Sequence, residues 1–156
     1  MPVPTVRTLL TATTAASVVL AGGISASAVS AKGKGKSPAA KSVAKVVSTC
    51  TGTKLESEPL KNGAGKKRGH VELWYSTADG GTNCVQTYDD AGGKREMSAT
   101  LVVQDRPTSS DTATYEYYAG GAAVTQTAGQ CVQWGGYVWF GKTHYGYTND
   151  RWTHCK

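Results

Sequence analysis

From Cys50 onward, short apolar runs are interrupted every eight to twelve residues by Gly, Asn, Asp or Ser. This spacing is typical of an all-β meander, sandwich or barrel. The clearest predicted strand covers 70–76, and its odd-numbered residues share one face because side chains alternate along a strand. No 3.6-residue period is present after Cys50, so we predict a small single-domain β-sandwich or barrel. The further predicted strands are 83–88, 96–103, 112–118, 122–127, 130–134 and 137–140. In 96–103, Met97, Ala99, Leu101 and Val103 share one face.

Glycine-containing turns separate the predicted strands. The segments 79–81 and 89–93 carry the Asp and Gly residues of tight turns, and Gly135-Gly136 is expected to end one strand before the next begins. The segment 105–111 is a predicted loop because it contains Pro107. Aliphatic residues are few, so aromatic rings are expected to fill much of the core, and a core this thin needs covalent support.

The first 31 residues have the pattern of a secretory signal peptide. Arg7 supplies a positive charge, an apolar stretch extends to Ile24, and small residues follow. Ala28 and Ala31 each end a small-x-small sequence, so both are candidate cleavage sites. The apolar stretch is too short and too rich in Ser and Thr for a membrane anchor, and no other run is apolar enough to span a bilayer. We therefore predict a secreted protein that is either soluble or attached to a surface.

The chain has four cysteines, Cys50, Cys84, Cys131 and Cys155. An even number in an exported protein indicates two disulfides, because the extracytoplasmic space lets them persist. Three pairings are possible, and we favour Cys84–Cys131 with Cys50–Cys155, which ties both ends of the domain together and closes long loops. A zinc site is less favoured, because zinc ligands come in close pairs and the nearest cysteines here are 24 positions apart.

Charge divides the chain into a basic front and a slightly acidic body. Residues 32–68 contain ten Lys or Arg and two Glu, whereas residues 69–156 contain six basic and nine acidic residues. The Lys-rich segment 32–49 cannot bury enough apolar area to order itself, so we predict a disordered tail before a disulfide-stapled β-domain at 50–156. Such a tail either attracts cell-wall or spore-surface polyanions or is only a solvated leader. The candidate polyanion-binding residues of the tail are Lys32, Lys34 and Lys36.

A second basic cluster, Lys66-Lys67-Arg68, lies among glycines. We predict an exposed loop that adds to the polyanion-binding residues. No aromatic residues interleave with the cluster, which argues against specific nucleic-acid binding. The sequence leaves the oligomeric state open.

Four tryptophans, eight tyrosines and one phenylalanine are the most informative side chains of the body. In a β-domain such rings either fill the core or form an exposed platform for sugars or a partner protein. Core positions are expected for most of them. The candidate ligand-binding rings are Trp74, Trp139, Tyr145 and Trp152.

Few residues have the arrangement that catalysis requires. His70 and Glu72 share a predicted strand face and are the best nuclease candidates, although an ordinary amphipathic strand explains them more simply. His144, His154 and Asp150 form a weaker metal candidate in an expected surface loop. No G-x-S-x-G motif and no phosphate-binding Gly loop before a helix is present in the sequence. We predict no catalytic residue, no metal and no cofactor.

Several segments together resemble the spore-associated protein A-like family of secreted actinobacterial proteins. The segments are LWY at 73–75, NCV at 83–85, YYAG at 117–120 and GQCVQWGG at 129–136, followed by Cys155. The chain departs from the family in its Lys-rich leader and in GGAAV at 120–124, because family members carry a proline soon after Tyr-Ala-Gly. The resemblance covers roughly residues 50–155. It implies export, a β-rich domain, paired cysteines and a place at the spore or cell surface, and it implies no catalytic residues.

The sequence therefore predicts a secreted, non-enzymatic structural or interaction protein of the spore or cell surface. One alternative is a glycan-binding module that recognises the cell wall through exposed aromatic residues. A second alternative is a small secreted hydrolase such as a nuclease.

Overall fold

The computed structural model describes residues 41–155, which form nine antiparallel β-strands and two disulfides. This confirms the predicted all-β class. A single-turn 3-10 helix (Ala78–Gly80) lies between β3 and β4, and no helix within 41–155 has the length and hydropathy to span a membrane. The expected signal peptide, Lys32, Lys34 and Lys36 lie outside the described residues. The strands are β1 (Ala44–Val47), β2 (Thr53–Lys61), β3 (Lys67–Ser76), β4 (Thr82–Tyr88), β5 (Arg95–Val103), β6 (Ser109–Tyr115), β7 (Tyr118–Thr125), β8 (Val132–Phe140) and β9 (Thr143–Thr153).

One sheet contains all nine strands in the order β1-β7-β4-β3-β2-β9-β8-β5-β6. The sheet curls until its two edge strands approach each other, and the Ser109 hydroxyl of β6 donates a hydrogen bond of 2.8 Å to the Lys45 carbonyl of β1. Strand β4 packs across the interior against β5 and β8. The architecture is therefore a nearly closed, barrel-like sheet whose two halves enclose one core.

The core follows the alternation of side chains along the strands. In β5, the four residues that the sequence placed on one face are all buried, with at most 2% exposure. The expectation of a largely aromatic core is wrong, because Trp134 and Tyr145 are the buried rings among residues 41–155 and the other core residues are aliphatic or small. The interior of a small closed sheet is narrow, so Val, Leu and Ala fill it and most rings lie outside or at its margin. The core side chains are Leu60, Val71, Leu73, Val85, Met97, Ala99, Leu101, Val103, Ala119, Ala122, Val124, Val132, Trp134, Val138 and Tyr145.

The predicted disordered tail ends earlier than residue 49. Residues Ala44–Val47 form β1 and pair with β7 in register, Ala44 opposite Val124. Thr125 donates a backbone hydrogen bond of 3.0 Å to the Val43 carbonyl. Strand β7 would otherwise present unpaired backbone groups to solvent, and β1 satisfies them. A four-residue strand is too short for its alternation to be visible in the sequence.

Two further strands differ from the predicted pattern because their side chains are mostly polar. Strand β2 was not predicted, since Leu60 is its one buried residue and two register irregularities break its alternation. Strand β9 covers eleven residues that the sequence indicated as a polar-aromatic end segment. The predicted strand 112–118 is divided by a turn, with β6 ending at Tyr115 and β7 beginning at Tyr118.

Gly135-Gly136 is not a turn, because β8 runs through it without a break. A Cβ at residue 136 would overlap the Thr87 hydroxyl of β4 and lie 2.7 Å from the Ser98 carbonyl oxygen. The Thr87 hydroxyl itself donates a buried hydrogen bond of 2.8 Å to that carbonyl. Gly136 therefore allows β8 to approach β4 across the interior.

We expect Gly136→Ala to lower the free energy of unfolding by about 1–3 kcal/mol, because the added methyl group overpacks the contact with Thr87. Gly63→Ala is the matched control, since nothing lies within 4 Å of a Cβ at residue 63. Its effect should stay below about 1 kcal/mol. Urea unfolding of both variants provides the measurement, and equal stabilities would contradict the close approach.

The disulfide pairing differs from the one favoured on sequence grounds. Cys50 pairs with Cys84 and Cys131 pairs with Cys155, with Cα–Cα distances of 5.6 Å and 4.2 Å. The nested pairing was favoured for the entropy of closing long loops, but a disulfide requires its two Cα atoms to be close in the fold. The sequence separations of 34 and 24 residues still correspond to about 3–4 kcal/mol each in the chain-entropy model.

Strand geometry explains both pairs. The segment before β2 crosses the outer side of β4, where the Cys50 amide donates a hydrogen bond of 3.0 Å to the Gln86 side-chain oxygen. Cys131 precedes β8 and Cys155 follows β9, which are neighbouring strands with Val132 opposite Thr153. Cys131–Cys155 thus joins segments that backbone pairing already brings together, whereas the Gln86 side chain holds the Cys50 backbone beside β4.

Peptide mapping tests this pairing. After trypsin digestion without reduction, we expect the peptide 46–54 linked to 69–94 and the peptide 96–142 linked to 152–156. Mass spectrometry identifies the linked pairs, and reduction should separate them. A link between 69–94 and 96–142 would instead support the nested pairing and contradict this topology.

Candidate ligand-binding site

A concave surface lies on the outer face of β5, β8 and β9. It encloses about 540 Å³. Ligand sites commonly enclose about 300–1,000 Å³, so the size suits a small molecule or a few units of a polymer. We name this surface the aromatic groove and define it by Thr100, Gly135, Tyr137, His144, Gly146 and Thr148.

Strand register places these residues side by side. Tyr137 of β8 lies between Ser98 of β5 and Gly146 of β9. One step along, Gly135 lies between Thr100 and Thr148 in the same way. Because alternate residues of a strand share a face, the residues at 133, 135, 137 and 139 of β8 point outward while their neighbours Val132, Trp134 and Val138 are buried.

Three rings form the wall of the groove. The His144 ring lies 5.2 Å from the Tyr137 ring and 5.0 Å from the Trp139 ring, centroid to centroid. Both pairs are inclined, at 44° and 65°, which is a favoured arrangement for aromatic contacts. Trp139 is 36% exposed, so its ring extends the wall beyond the groove itself.

A carboxylate holds Tyr137 in position. The Tyr137 hydroxyl donates a hydrogen bond of 3.0 Å to the Glu96 carboxylate. Burial raises the pKa of Tyr137 above its ordinary value, and the hydrogen bond and negative charge of Glu96 add to this increase. The phenol therefore stays neutral at neutral pH and its ring orientation is fixed from β5.

Glycine leaves room for the groove. A Cβ at residue 135 would lie 2.5 Å from the Tyr147 carbonyl oxygen, and one at residue 146 would lie 2.6 Å from Cε1 of His144. The His144 ring thus leans over Gly146, where any larger residue would displace it. These positions need the smallest side chain for space, not for an unusual backbone angle.

Polar groups complete the lining. Thr100 and Thr148 offer hydroxyls, Gln133 an amide, Asp150 a carboxylate and Lys61 an ammonium group. Together with the rings they combine flat apolar surface with hydrogen-bond donors and acceptors. A sugar presents the same combination, with apolar C–H faces and hydroxyl edges, so the groove is suited to a carbohydrate.

The structure separates the four rings that the sequence grouped as ligand-binding candidates. Trp139 borders the aromatic groove, and Trp152 is 45% exposed on β9 outside the groove lining. Tyr145 is buried, at 5% exposure, and its ring packs edge-on to Phe140 at 5.4 Å, so its assignment as a ligand-binding ring is wrong. It points inward because it lies one residue from the outward-facing His144.

Trp74 belongs to a separate group of side chains on β2, β3 and β4, which we name the Glu72 cluster: Lys54, His70, Glu72, Trp74 and Tyr88. The Glu72 carboxylate is 7% exposed and lies 2.8 Å from Lys54 Nζ. The Trp74 indole N–H donates a second hydrogen bond to it, at 3.1 Å. The His70 ring stacks on Tyr88 at 4.7 Å and 13°, and its Nδ1 lies 2.8 Å from Asp90. The carboxylate is thus held by several partners within the protein.

This geometry bears on the nuclease hypothesis. His70 Nε2 lies 3.7 Å from Glu72, so the two residues are close, as the sequence indicated. Both side chains already have partners, however. Glu72 accepts hydrogen bonds from Lys54 and Trp74. His70 is hydrogen-bonded to Asp90 and stacks on Tyr88. Arg95, a nearby cation, forms an ion pair with Asp89 at 3.0 Å. Within the cluster, the one buried carboxylate, Glu72, has its hydrogen bonds satisfied by partners that are themselves partly exposed.

The second basic cluster is only in part a loop. Lys66 lies in the β2–β3 turn, whereas Lys67 and Arg68 begin β3. The Arg68 guanidinium lies 4.2 Å from the centroid of Phe140, which fixes its position by a cation–π contact. Lys67, Arg68 and His70 line a hollow of about 440 Å³.

Metal ligands are not gathered in the part of the chain that the structure describes, where no three His, Cys, Asp or Glu residues are placed to hold an ion. His144 belongs to the ring wall, and His154 Nε2 lies 2.7 Å from Glu56. The weak metal candidate of the sequence is therefore divided between two places.

Sequence reasoning missed Tyr137 as a functional candidate and named His144 only as a weak metal ligand. The alternation of β8 provides a signal for Tyr137, which shares a face with Trp139. His144 has no such signal, because β9 was not predicted to be a strand and its pairing with Trp139 is decided by the β8–β9 register. No protein-family model, curated protein or solved structure matches the chain. The resemblance to the spore-associated protein A-like family stays a prediction.

Two tyrosines provide a pH test of the described contacts. Burial, followed by the charge and hydrogen bond of Glu72, raises the pKa of Tyr88 to about 12, and the hydrogen bond to Asp111 raises the pKa of Tyr115 to about 12. Each folded pKa lies above the ordinary tyrosine value of 10.0, so the neutral phenols stabilise the fold below pH 10. That contribution is lost as pH rises from about 10 to 12.

We expect phenolate absorbance to show a late titration step near pH 12, together with falling stability between pH 10 and 12. Tyr88→Phe and Tyr115→Phe should each reduce the late step. Tyr117→Phe, at a residue that is 62% exposed, is the control and should leave it unchanged. A single step near pH 10 from the folded protein would contradict the contacts with Glu72 and Asp111.

Proposed function

We propose that this chain is a secreted, non-enzymatic interaction protein that binds a polysaccharide of the cell or spore surface through the aromatic groove. The proposal combines the export signal expected from the sequence with the ring-lined concave surface of the fold. It joins the surface-associated role and the glycan-binding role that the sequence left as alternatives.

The observation that carries the proposal is the ring wall beside the row of hydroxyls. His144 lies about 5 Å from both Tyr137 and Trp139, and Thr100 and Thr148 lie one step along the same strands. Sugar rings pack their apolar faces on aromatic side chains, and their hydroxyls bond to polar groups at the edges. The groove offers both kinds of contact on a rigid sheet, which keeps the entropy cost of binding low.

Binding is favoured over hydrolysis because the Glu96 and Glu72 carboxylates are already engaged in hydrogen bonds. Glu96 accepts the Tyr137 hydrogen bond beside the ring wall. In the Glu72 cluster, Lys54 and Trp74 donate hydrogen bonds to the carboxylate. A hydrolase needs such groups free to exchange protons with substrate.

The disulfides and the basic tail support a location outside the cell. Disulfides persist in oxidising compartments, and both pairs here join neighbouring segments of the fold. Lys32, Lys34 and Lys36 would add electrostatic attraction to anionic surface polymers. The groove then supplies the specific contact with the polymer, and the tail supplies an electrostatic contact that salt weakens.

A pull-down on purified Gram-positive cell wall tests the proposal. We expect the wild-type protein to be retained and Trp139→Ala to weaken retention about tenfold, equivalent to 1.4 kcal/mol, because an exposed ring of the wall is lost. Gly146→Ala should also weaken retention, since its methyl group displaces His144 while leaving the core untouched.

Tyr117→Ala is the matched control, because it removes an exposed ring outside the groove. It should be retained like the wild type. The comparison is made in high salt, so that the basic tail does not contribute. Equal retention of Trp139→Ala, Gly146→Ala and Tyr117→Ala would sink the ring-wall proposal.

A further inference from the structure

Basic residues gather at one end of the barrel-like sheet. The β2–β3, β4–β5 and β8–β9 turns meet there, because His70 pairs with Tyr88 and Met97 pairs with Val138 near the ends of their strands. We name this surface the basic end and define it by Lys67, Arg68, Lys94, Arg95 and Lys142. The opposite end of the sheet carries the β3–β4, β5–β6 and β7–β8 turns, with Lys41 and Arg106 among its basic residues.

Phe140 organises the basic end. The guanidinium groups of Arg68 and Arg95 each lie 4.2 Å from the centroid of its ring. Cation–π contacts of this kind hold two positive charges near one another at modest cost. Arg95 is partly neutralised by Asp89 at 3.0 Å, whereas Arg68 has no carboxylate within 4.0 Å among residues 41–155.

The lysines of the basic end are not paired within the described chain. Lys67, Lys94 and Lys142 form no salt bridge with a carboxylate of residues 41–155. The acidic residues of this end are Asp89, Asp90, Glu96 and Glu116. Five basic residues against these four give a formal surplus of one positive charge, and the three lysines are open to an external anion.

The basic end continues directly from the aromatic groove. Lys94, Glu96, Trp139 and Lys142 line a hollow of about 680 Å³. Trp139 also contacts His144, which lines the groove. A linear ligand that follows the ring wall past Trp139 thus arrives between Lys94 and Lys142.

We infer that the ligand is an anionic polysaccharide, whose sugars occupy the aromatic groove and whose negative groups contact Lys94 and Lys142. This inference rests on the proposed function and specifies its ligand class. Carboxylate groups of uronic acids and phosphate groups of a sugar-phosphate polymer share the required chemistry. Neither basic residue belongs to the tail, so the charge recognition is built into the folded domain.

Binding to three soluble polymers tests the inference with the full mature protein. Polygalacturonate carries carboxylates, fully methyl-esterified polygalacturonate has the same backbone without charge, and phosphomannan carries phosphates on a sugar backbone. Affinity is measured by calorimetry at several salt concentrations. We expect an anionic polymer to bind more tightly than the esterified one, with an affinity that falls as salt rises.

The decisive variant is Lys94→Gln/Lys142→Gln. It should weaken binding of the anionic polymer about tenfold, flatten its salt dependence and leave binding of the esterified polymer unchanged. Lys41→Gln/Arg106→Gln is the matched control, because it removes the same two charges from exposed residues at the opposite end of the sheet. It should retain the wild-type affinity.

Each outcome separates the inference from the proposed function. If charged and esterified polymers bind equally, and Trp139→Ala weakens both, the groove binds sugars but the charge inference is overturned. If the control variant loses as much affinity as Lys94→Gln/Lys142→Gln, general charge attraction replaces the site and the inference also fails. If Trp139→Ala leaves the affinity for every polymer unchanged, the proposed function itself is overturned. A preference between carboxylate and phosphate in the variant-sensitive binding identifies the source of the anion.

Discussion

The close approach of β8 to β4 at Gly136 is the contact on which the rest of the structure depends. Because residue 136 has no side chain, Thr87 packs against the β8 backbone and donates its hydrogen bond to Ser98. The two halves of the sheet then lie near enough for small aliphatic residues to fill the interior at the density of a protein core. The preceding residue, Gly135, belongs to the lining of the outer groove. The two adjacent glycines therefore let the halves of the sheet approach each other across the interior and leave space for the groove on the outer face.

A narrow interior has consequences for the aromatic side chains. Large rings at outward positions of β8 and β9 cannot be buried in the core, so they pack against one another on the outer face, where His144 contacts Tyr137 and Trp139. Hydrogen bonding from Tyr137 to Glu96 fixes this wall to β5. The Glu72 cluster shows the other solution, in which a polar network covers the outer face and satisfies its own members. The difference between an open ring wall and a closed network is why we assign ligand binding to the first surface.

The covalent and electrostatic features reinforce the same arrangement. Cys131–Cys155 joins the beginning of β8 to the end of β9, the two strands that carry the ring wall, and Cys50–Cys84 holds the segment between β1 and β2 on the outer side of β4. At the other end of β8, Phe140 lies between two guanidinium groups. A groove that is fixed at both ends loses little entropy on binding, which suits recognition of a flexible polymer.

Local pattern determined the elements, and long-range pairing decided the site. Alternation in the sequence was enough to predict the all-β class and the buried face of β5, because a period of two is a property of neighbouring residues. The even number of cysteines likewise predicted two disulfides, but their pairing depends on which strands become neighbours. Strands β1, β2 and β9 escaped prediction, since a strand with few buried residues shows little alternation. Tyr145 lies in the core and His144 lies in the ring wall, because the β8–β9 register alone determines which of two adjacent residues faces the core. The aromatic groove and the basic end are products of that register, formed by residues that are distant along the chain.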